Sequence, residues 1–222
     1  MWAILGGILL VGLVLYLVLS PSTGSGSSDS VSIIPELQSG MFSTSRAANA
    51  LLPSFNQPQG RVYSYTGWLL VKDFTQGYGT KRTIFSKGDA PGVYLDTTSN
   101  ALSIAVKTYG TTETILIPNL PAMKWIHLGL VVDQHAVDIY INGMLRQHHT
   151  LSQLPDLTDD PITTGPGWNG YIGRLVYYRR ALSNGDISAL ASQPPPTLPE
   201  ETVGKNGYFD ITWYIGRLTS ST

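Results

Sequence analysis

Residues 125–148 read WIHLGLVVDQHAVDIYINGMLRQH, and this stretch decides the fold. Val137, Ile139 and Ile141 alternate with Asp138 and Tyr140, the period of a strand with one buried face. Asn142-Gly143 then supplies the two residues of positive φ that a type I′ turn requires, and Met144 opens the return strand. The preceding run, 125–133, carries Ile126, Leu128, Leu130 and Val132 on one parity, with Trp125 and Val131 on the other. A strand apolar on both parities is expected to be central and covered from both sides.

Working outward, the same strand signal recurs in short runs at 62–74, 83–87, 93–96, 102–107, 114–117, 144–148 and 171–178. Short β runs at this spacing, punctuated by 23 Gly and 14 Pro, predict an all-β, two-sheet antiparallel sandwich or jelly roll. Outside the N-terminus only one helix is expected. Ser183 stands three residues before Asp186 as a capping box, Ile187, Leu190 and Ala191 share a face, and Pro194-Pro195-Pro196 stops it. Residues 31–60 hold a short β-like run at 31–37 and then Pro53, Pro58 and Gly60, and read as an extended arm over the domain or a neighbour. Beyond the Pro-rich linker, residues 208–215 (YFDITWYI) read as a strand in a C-terminal extension spanning 194–222.

The N-terminus is of another kind. Residues 2–19, beginning at Trp2 and closing on Leu19, read WAILGGILLVGLVLYLVL without a charge. As a helix at about 1.5 Å per residue this run approaches the thickness of a bilayer's hydrocarbon layer. A cleaved signal peptide fits less well, because no Lys or Arg precedes the run and Pro21 follows it. The expectation is a single-pass transmembrane anchor at 1–20, with lipid as its partner, and a Ser/Gly linker at 21–30. The first basic residue is Arg46, so no nearby charge sets the orientation.

Composition narrows the partners. The formal net charge is -1 and charged residues make up 13%, which leaves no basic face for nucleic acid. The absence of cysteine excludes disulfides, thiolate metal sites and cysteine nucleophiles.

In the order "GWLLVKDF", "RTIFSKGD", "GVYLD", "LSIAV", "KWIHLGLVVD", "VDIYINGM" and "GYIGRLVYYRRALSNGDISAL", residues 61–193 resemble a laminin-G-like, concanavalin A-like lectin/glucanase jelly-roll domain. Two pieces carry most of the likeness. One is Trp125, His127 and Asp133 leading into Tyr140, Asn142 and Gly143. The other is Gly170, Gly173 and Arg174 on the strand ending at Arg180-Ala181-Leu182-Ser183. The resemblance implies two curved antiparallel sheets. Proteins with such a domain behind an N-terminal anchor are similar to accessory, minor capsid components of large DNA viruses, which link a shell to an internal membrane.

Some relatives hydrolyse polysaccharides with two carboxylates about 5–9 Å apart. Here Glu36, Glu113, Glu200 and Glu201 are the four glutamates and none falls in an E-x-D-x-x-E pattern, so no catalytic residue is assigned and the chain is not expected to be an enzyme. No G-x-S-x-G elbow is present, and the adjacent pair His148-His149 would diverge on a strand. Arg174 is expected to pair with Asp186 or Asp133, and His127 to be a hydrogen-bonded strand residue. No cofactor is required, although lectin-like relatives hold Ca²⁺, for which Asp89, Asp96, Asp133, Asp159 and Asp160 are the available donors. For a glycan partner, Trp168 in the loop GPGWNG, with Tyr78 and Tyr109, is the expected stacking platform. A structural, protein-docking role within a larger assembly is the leading expectation, and a membrane-tethered lectin is the alternative.

Overall fold

The computed structural model describes residues 29–51, 61–156 and 158–199. The expected span at 2–19 and the C-terminal strand at 208–215 lie outside these residues. Among the described residues no helix is long and apolar enough to cross a membrane.

The described residues form two six-stranded antiparallel sheets. In the first, the order is β1 (Ser30–Ser39), β12 (Gly170–Tyr178), β3 (Val62–Val71), β8 (Trp125–Asp133), β9 (Ala136–Ile141) and β10 (Met144–Thr150). In the second it is β2 (Thr44–Arg46), β11 (Ile162–Thr164), β4 (Arg82–Ser86), β5 (Gly92–Leu95), β6 (Leu102–Lys107) and β7 (Thr112–Ile117). This is the sandwich the period-2 runs require, and all nine runs read from the sequence are strands.

The core lies between the sheets. Ile126, Leu128, Leu130 and Val132 of β8 face Leu102, Ile104 and Val106 of β6 and Ile115 and Ile117 of β7 in one buried cluster. Tyr65 of β3 stacks on Phe85 of β4 with ring centroids 5.2 Å apart, tying the two layers together. At the turn after β9, Asn142 and Gly143 have φ values of 52° and 82°, as the hairpin signal demands.

The other parity of β8 emerges on the outer face of the first sheet, where Val131 joins Tyr140, Leu182 and Ile187 in a second buried cluster. The cover is α1 (Asn184–Ala191), whose Ser183 and Asp186 form a reciprocal capping box. Gly129 lets the helix come close, since a Cβ there would stand 3.1 Å from Ile187 Cδ1.

The segment read as an arm is corrected in part. Residues 30–39 and 44–46 are β1 and β2, edge strands of both sheets, so the sandwich begins at residue 30 and not at 61. β1 is an irregular edge: Pro35 lies within it and its register against β12 shifts twice. Such a strand gives a weak period-2 signal, which is why its pairing was not legible. At its far side Pro196 packs against Gly173 of β12, so the polyproline segment crosses the outer face after α1.

Truncating the helix anchor tests this arrangement. Ile187→Ala is expected to cost about 2–5 kcal/mol, read as a lowered urea midpoint, and to expose the Val131–Tyr140 surface to a hydrophobic dye.

Candidate functional site

Where α1 ends, the outer face of the first sheet is left open among the described residues. Trp68 of β3 and His127 of β8 are direct cross-strand partners, and their rings meet edge to face with centroids 5.2 Å apart. The His127 backbone N–H donates to Asn142 Oδ1 at 2.9 Å, so the hairpin turn fixes the strand that carries the ring. Above these side chains is a pocket of about 200 Å³, with Thr66, Trp68 and His127 as the floor and Val176, Tyr178 and Leu190 as walls. Pro35, Arg174 and Gln193 form its exposed rim.

The floor is chemically incomplete. His127 is 2% exposed, and its Nδ1 is buried without a hydrogen-bond partner among the described residues. Burial pushes the imidazole down from its ordinary 6.5 to about 4, so it is neutral at pH 7. A neutral imidazole has one N–H to donate and one bare nitrogen to accept. The expectation that His127 is a hydrogen-bonded strand residue holds for its backbone, while its Nδ1 atom has no partner among the described residues.

Arg174 reaches the rim through a bulge. The β12 register shifts between Gly173 and Val176, and Arg174 itself has φ 46°, a left-handed conformation that re-aims the side chain. Its Nη1 donates to the Pro194 carbonyl at 2.8 Å. The expected ion pair with Asp186 or Asp133 is thus corrected. Asp186 instead accepts from the Ser183 backbone N–H and from Arg180 at 3.0 Å, which together lower its carboxyl to about 2.

Trp168 is the clearest correction. It is 0% exposed and its indole N–H donates to the Thr83 carbonyl at 2.9 Å, so it plugs the end of the sandwich and presents no face to a ligand. The reason lies in its glycine neighbours. A Cβ at Gly40 would stand 2.3 Å from the indole and one at Gly170 2.6 Å, so both positions are empty to admit the ring. Tyr78 and Tyr109 are 63% and 66% exposed. They do not converge: Tyr78 lies beside the β5–β6 loop, where the Gly79 N–H donates to Thr97, whereas Tyr109 tips the β6–β7 hairpin at the opposite end of β6. Arg82, fully buried, fixes the first of these loops by donating to the carbonyls of Phe74, Gln76 and Asp96.

The histidine and acidic side chains go to separate tasks. His148 Nδ1 lies 2.6 Å from Asp138 Oδ1 within the first sheet. His149 Nε2 lies 2.8 Å from Glu113 Oε2, bridging the two sheets where β10 and β7 meet. Asp96 accepts from the Ser99 hydroxyl at 2.7 Å, Asp89 accepts from the Tyr94 hydroxyl, and Asp159 and Asp160 act on Lys87. Among the described residues no three His, Asp or Glu side chains gather as a metal site would require.

Sequence reasoning missed Trp68 and Thr66, because β3 is buried along its whole length and its outer face looks no different from its inner one.

Comparison with known proteins accords with this architecture. A laminin G family described as the concanavalin A-like lectin/glucanases superfamily matches residues 44–188. No curated protein matches the chain. Among solved structures, the receptor-binding domain of botulinum neurotoxin D is similar at TM-score 0.56 and 14% identity, over 72% of this chain and 45% of that one. A structure of botulinum neurotoxin type C, whose cell entry is described as dependent upon interaction with two ganglioside molecules, gives TM-score 0.54 and 14% identity over 73% and 45%. The binding domain of botulinum neurotoxin DC, in complex with rat synaptotagmin II, gives TM-score 0.53 and 13% identity over 73% and 45%. This chain therefore spans less than half of each of those chains, and at such identity the likeness is one of fold alone.

Two outcomes follow. Because folding holds His127 neutral, the unfolded chain binds the extra proton. Stability is expected to be full above about pH 6.5 and to fall by about 3 kcal/mol as pH drops towards 4. Urea unfolding across that range checks it, and His127→Phe should flatten the slope. Trp168→Ala should lower stability by about 3–5 kcal/mol through the loss of the plug.

Proposed function

The chain belongs to the concanavalin A-like lectin/glucanases superfamily, a fold that hosts binding and hydrolysis alike, and on that premise we propose that it is a noncatalytic docking module held at a membrane by residues 2–19. The observation that carries the protein-docking part is a corner of exposed apolar side chains. β7 ends and β10 begins at the same end of the sandwich, as the His149–Glu113 contact between their other ends requires. Leu116, Met144 and Leu145 are exposed there, with Met144 at 75%, and Met123 is exposed on the loop joining β7 to β8. Leu145 lies on the outer face of the first sheet opposite Tyr140 and Leu116 on the outer face of the second, so exposed apolar groups flank the edge where the two sheets meet, and such an edge favours an interaction surface.

The noncatalytic part is supported by where the carboxylates go. Glu113 is engaged by His149 and Ser152, and Asp73 by Thr75, Gln76 and Asn169. A toxin binding domain of similar fold is described in complex with a protein, and cell entry of a second such toxin as dependent upon gangliosides, which supports partners of either kind here. The setting proposed is that of an accessory, minor capsid protein joining the shell of a large DNA virus to its internal membrane. It rests on the combination of a 2–19 anchor, low charge and an apolar corner. A tethered lectin is the second reading, favoured only by the exposed rings of Tyr78 and Tyr109.

Photo-crosslinkers placed at positions 116 and 144 of the full-length chain in its native membrane are expected to yield discrete protein adducts. A crosslinker at Ser45, on the opposite edge, should not. Equal yields at all three positions would sink the docking proposal, and glycan-array binding lost on Tyr78→Ala or Tyr109→Ala would replace it with the lectin. The chain should also stay with the membrane through alkaline carbonate extraction and be released when residues 2–19 are deleted.

A further inference from the structure

We propose that the partner docks by adding a short extended segment of its own chain to the free edge of β7, as a further strand of the second sheet; this rests on the docking reading and specifies its contact. Each sheet has two margins, and the four edge strands differ in how open they are. β1 carries Pro35 and two register shifts, and the Arg46 guanidinium donates to its Ser32 carbonyl at 3.0 Å. β2 is only three residues long. β10 has one shift, which places the exposed Arg146 between the paired Leu145 and Gln147. β7 has none: its pairing with β6 runs unbroken from Lys107–Thr112 to Leu102–Ile117, without proline and with β-branched Thr112, Thr114, Ile115 and Ile117. Proteins blunt the edges they leave in water, so an edge without such a device favours a strand as its neighbour.

The backbone sets which groups are on offer. The Thr108 N–H donates to the Thr111 carbonyl at 2.9 Å and closes the β6–β7 hairpin. Lys107, opposite Thr112, turns its N–H to the Asp89 carbonyl and its own carbonyl to the Asp156 N–H, away from β7. Bonded and non-bonded pairs alternate along an antiparallel ladder, so Glu113, Ile115 and Ile117 bond to β6 while Thr114 and Leu116 present N–H and C=O to the open side. The loop after β10 meets the start of β7, where the Ser152 N–H and hydroxyl donate to Glu113 at 2.8 and 2.7 Å. Beyond it, Thr114–Ile117 has no further strand beside it among the described residues. Donors and acceptors at strand spacing are matched by another extended backbone, which neither a sugar ring nor a single side chain provides.

Side chains select the segment. Ile115 and Ile117 point into the core, and Thr114 and Leu116 lie exposed on the outer face. Met144, opposite Ile141 in the register, is on the inner side of β10 and 75% exposed at the mouth of the gap between the sheets. An added strand sets alternate side chains against Ile117 and Met144, which calls for apolar residues, and the others beside Thr114 and Leu116. No charged residue stands at 114–117, and Glu113 is held by His149 at 2.8 Å. The occupant is therefore an uncharged segment about as long as Thr114–Ile117 and apolar at every second position. A second copy of the sandwich fits less well. β10 stands in front of β7, so two copies docked edge to edge bring two β10 strands together, each with its exposed Arg146, whereas a lone segment meets no such opposition.

The test is hydrogen exchange on the full-length chain, in its native membrane and after transfer to lipid nanodiscs. The Thr114 and Leu116 amides are expected to exchange at least tenfold more slowly in the native membrane, while the Ile115 amide, already bonded to β6, changes little. Thr114→Pro removes one outward N–H and no ladder bond. It should keep the urea midpoint measured in nanodiscs, abolish the protection at Leu116 and lower crosslinking from position 144 at least tenfold, whereas Thr114→Val should leave protection and crosslinking intact. Equal exchange of Thr114 and Leu116 in the two settings would overturn strand addition whatever Thr114→Pro does, and crosslinks still formed from position 144 would then leave the docking proposal standing. Protection accompanied by adducts of twice the chain's own mass would overturn the partner's segment in favour of a second copy. If the chain gives no adducts from positions 116 and 144 in the first place, the docking reading fails and this inference falls with it.

Discussion

The constraint on which the structure depends is that β8 and its neighbours are apolar on both faces. A sheet of that kind must be covered twice. The second sheet covers one side along its whole width and forms the main core. On the other side, among the described residues, the helical cover is α1, eight residues long and therefore about 12 Å, laid on six strands that span about 24 Å. The helix settles over Gly129, Val131 and Tyr140, and the remainder of the face is left to the polyproline segment and to the pocket between them. The pocket is thus a consequence of cover that is too short for the sheet it protects.

That short helix needs help to persist, since an isolated helix of this length is not stable in water. Its capping box satisfies two orphan donors of the first turn, Arg180 pairs with Asp186 at 3.0 Å, and Ser64 of β3 accepts from the Leu182 N–H at 3.0 Å while donating to the Arg180 carbonyl at 2.8 Å. A buried hydroxyl on the sheet therefore fixes the chain that enters the helix. The hairpin turn acts in a similar way at the other end. Asn142 makes the turn and holds the His127 backbone, while the lack of a side chain at Gly143 lets Ala191 approach, a Cβ there standing 3.2 Å from that of Ala191.

Much of the sandwich was legible in the sequence, and the limits were physical ones. Strands 125–133 and 137–141 were plain because their alternation is regular and their turn chemistry specific, and α1 was plain because Ser183 and Asp186 stand at capping distance. β1 was obscured by Pro35 and its bulges, and β11 by being three residues long. The site was hidden more deeply. Trp168 drew attention because glycines surround it, yet those glycines make room for an indole turned inward, and one of them, Gly40, is remote in sequence. Trp68 drew none, because a tryptophan in an unbroken apolar strand looks like core. Only the place where α1 stops shows that it borders an opening.

The two margins of the first sheet are unlike. β1 presents an imino acid and a broken register, whereas β10 runs seven residues with a single irregularity and no proline. Addition of a further strand to this sheet is therefore one-sided: among the described residues β1 is blunted, and β10 is the margin with the regular edge. A margin blunted on one side only limits the sheet to extension in a single direction and so guards it against open-ended ribbons.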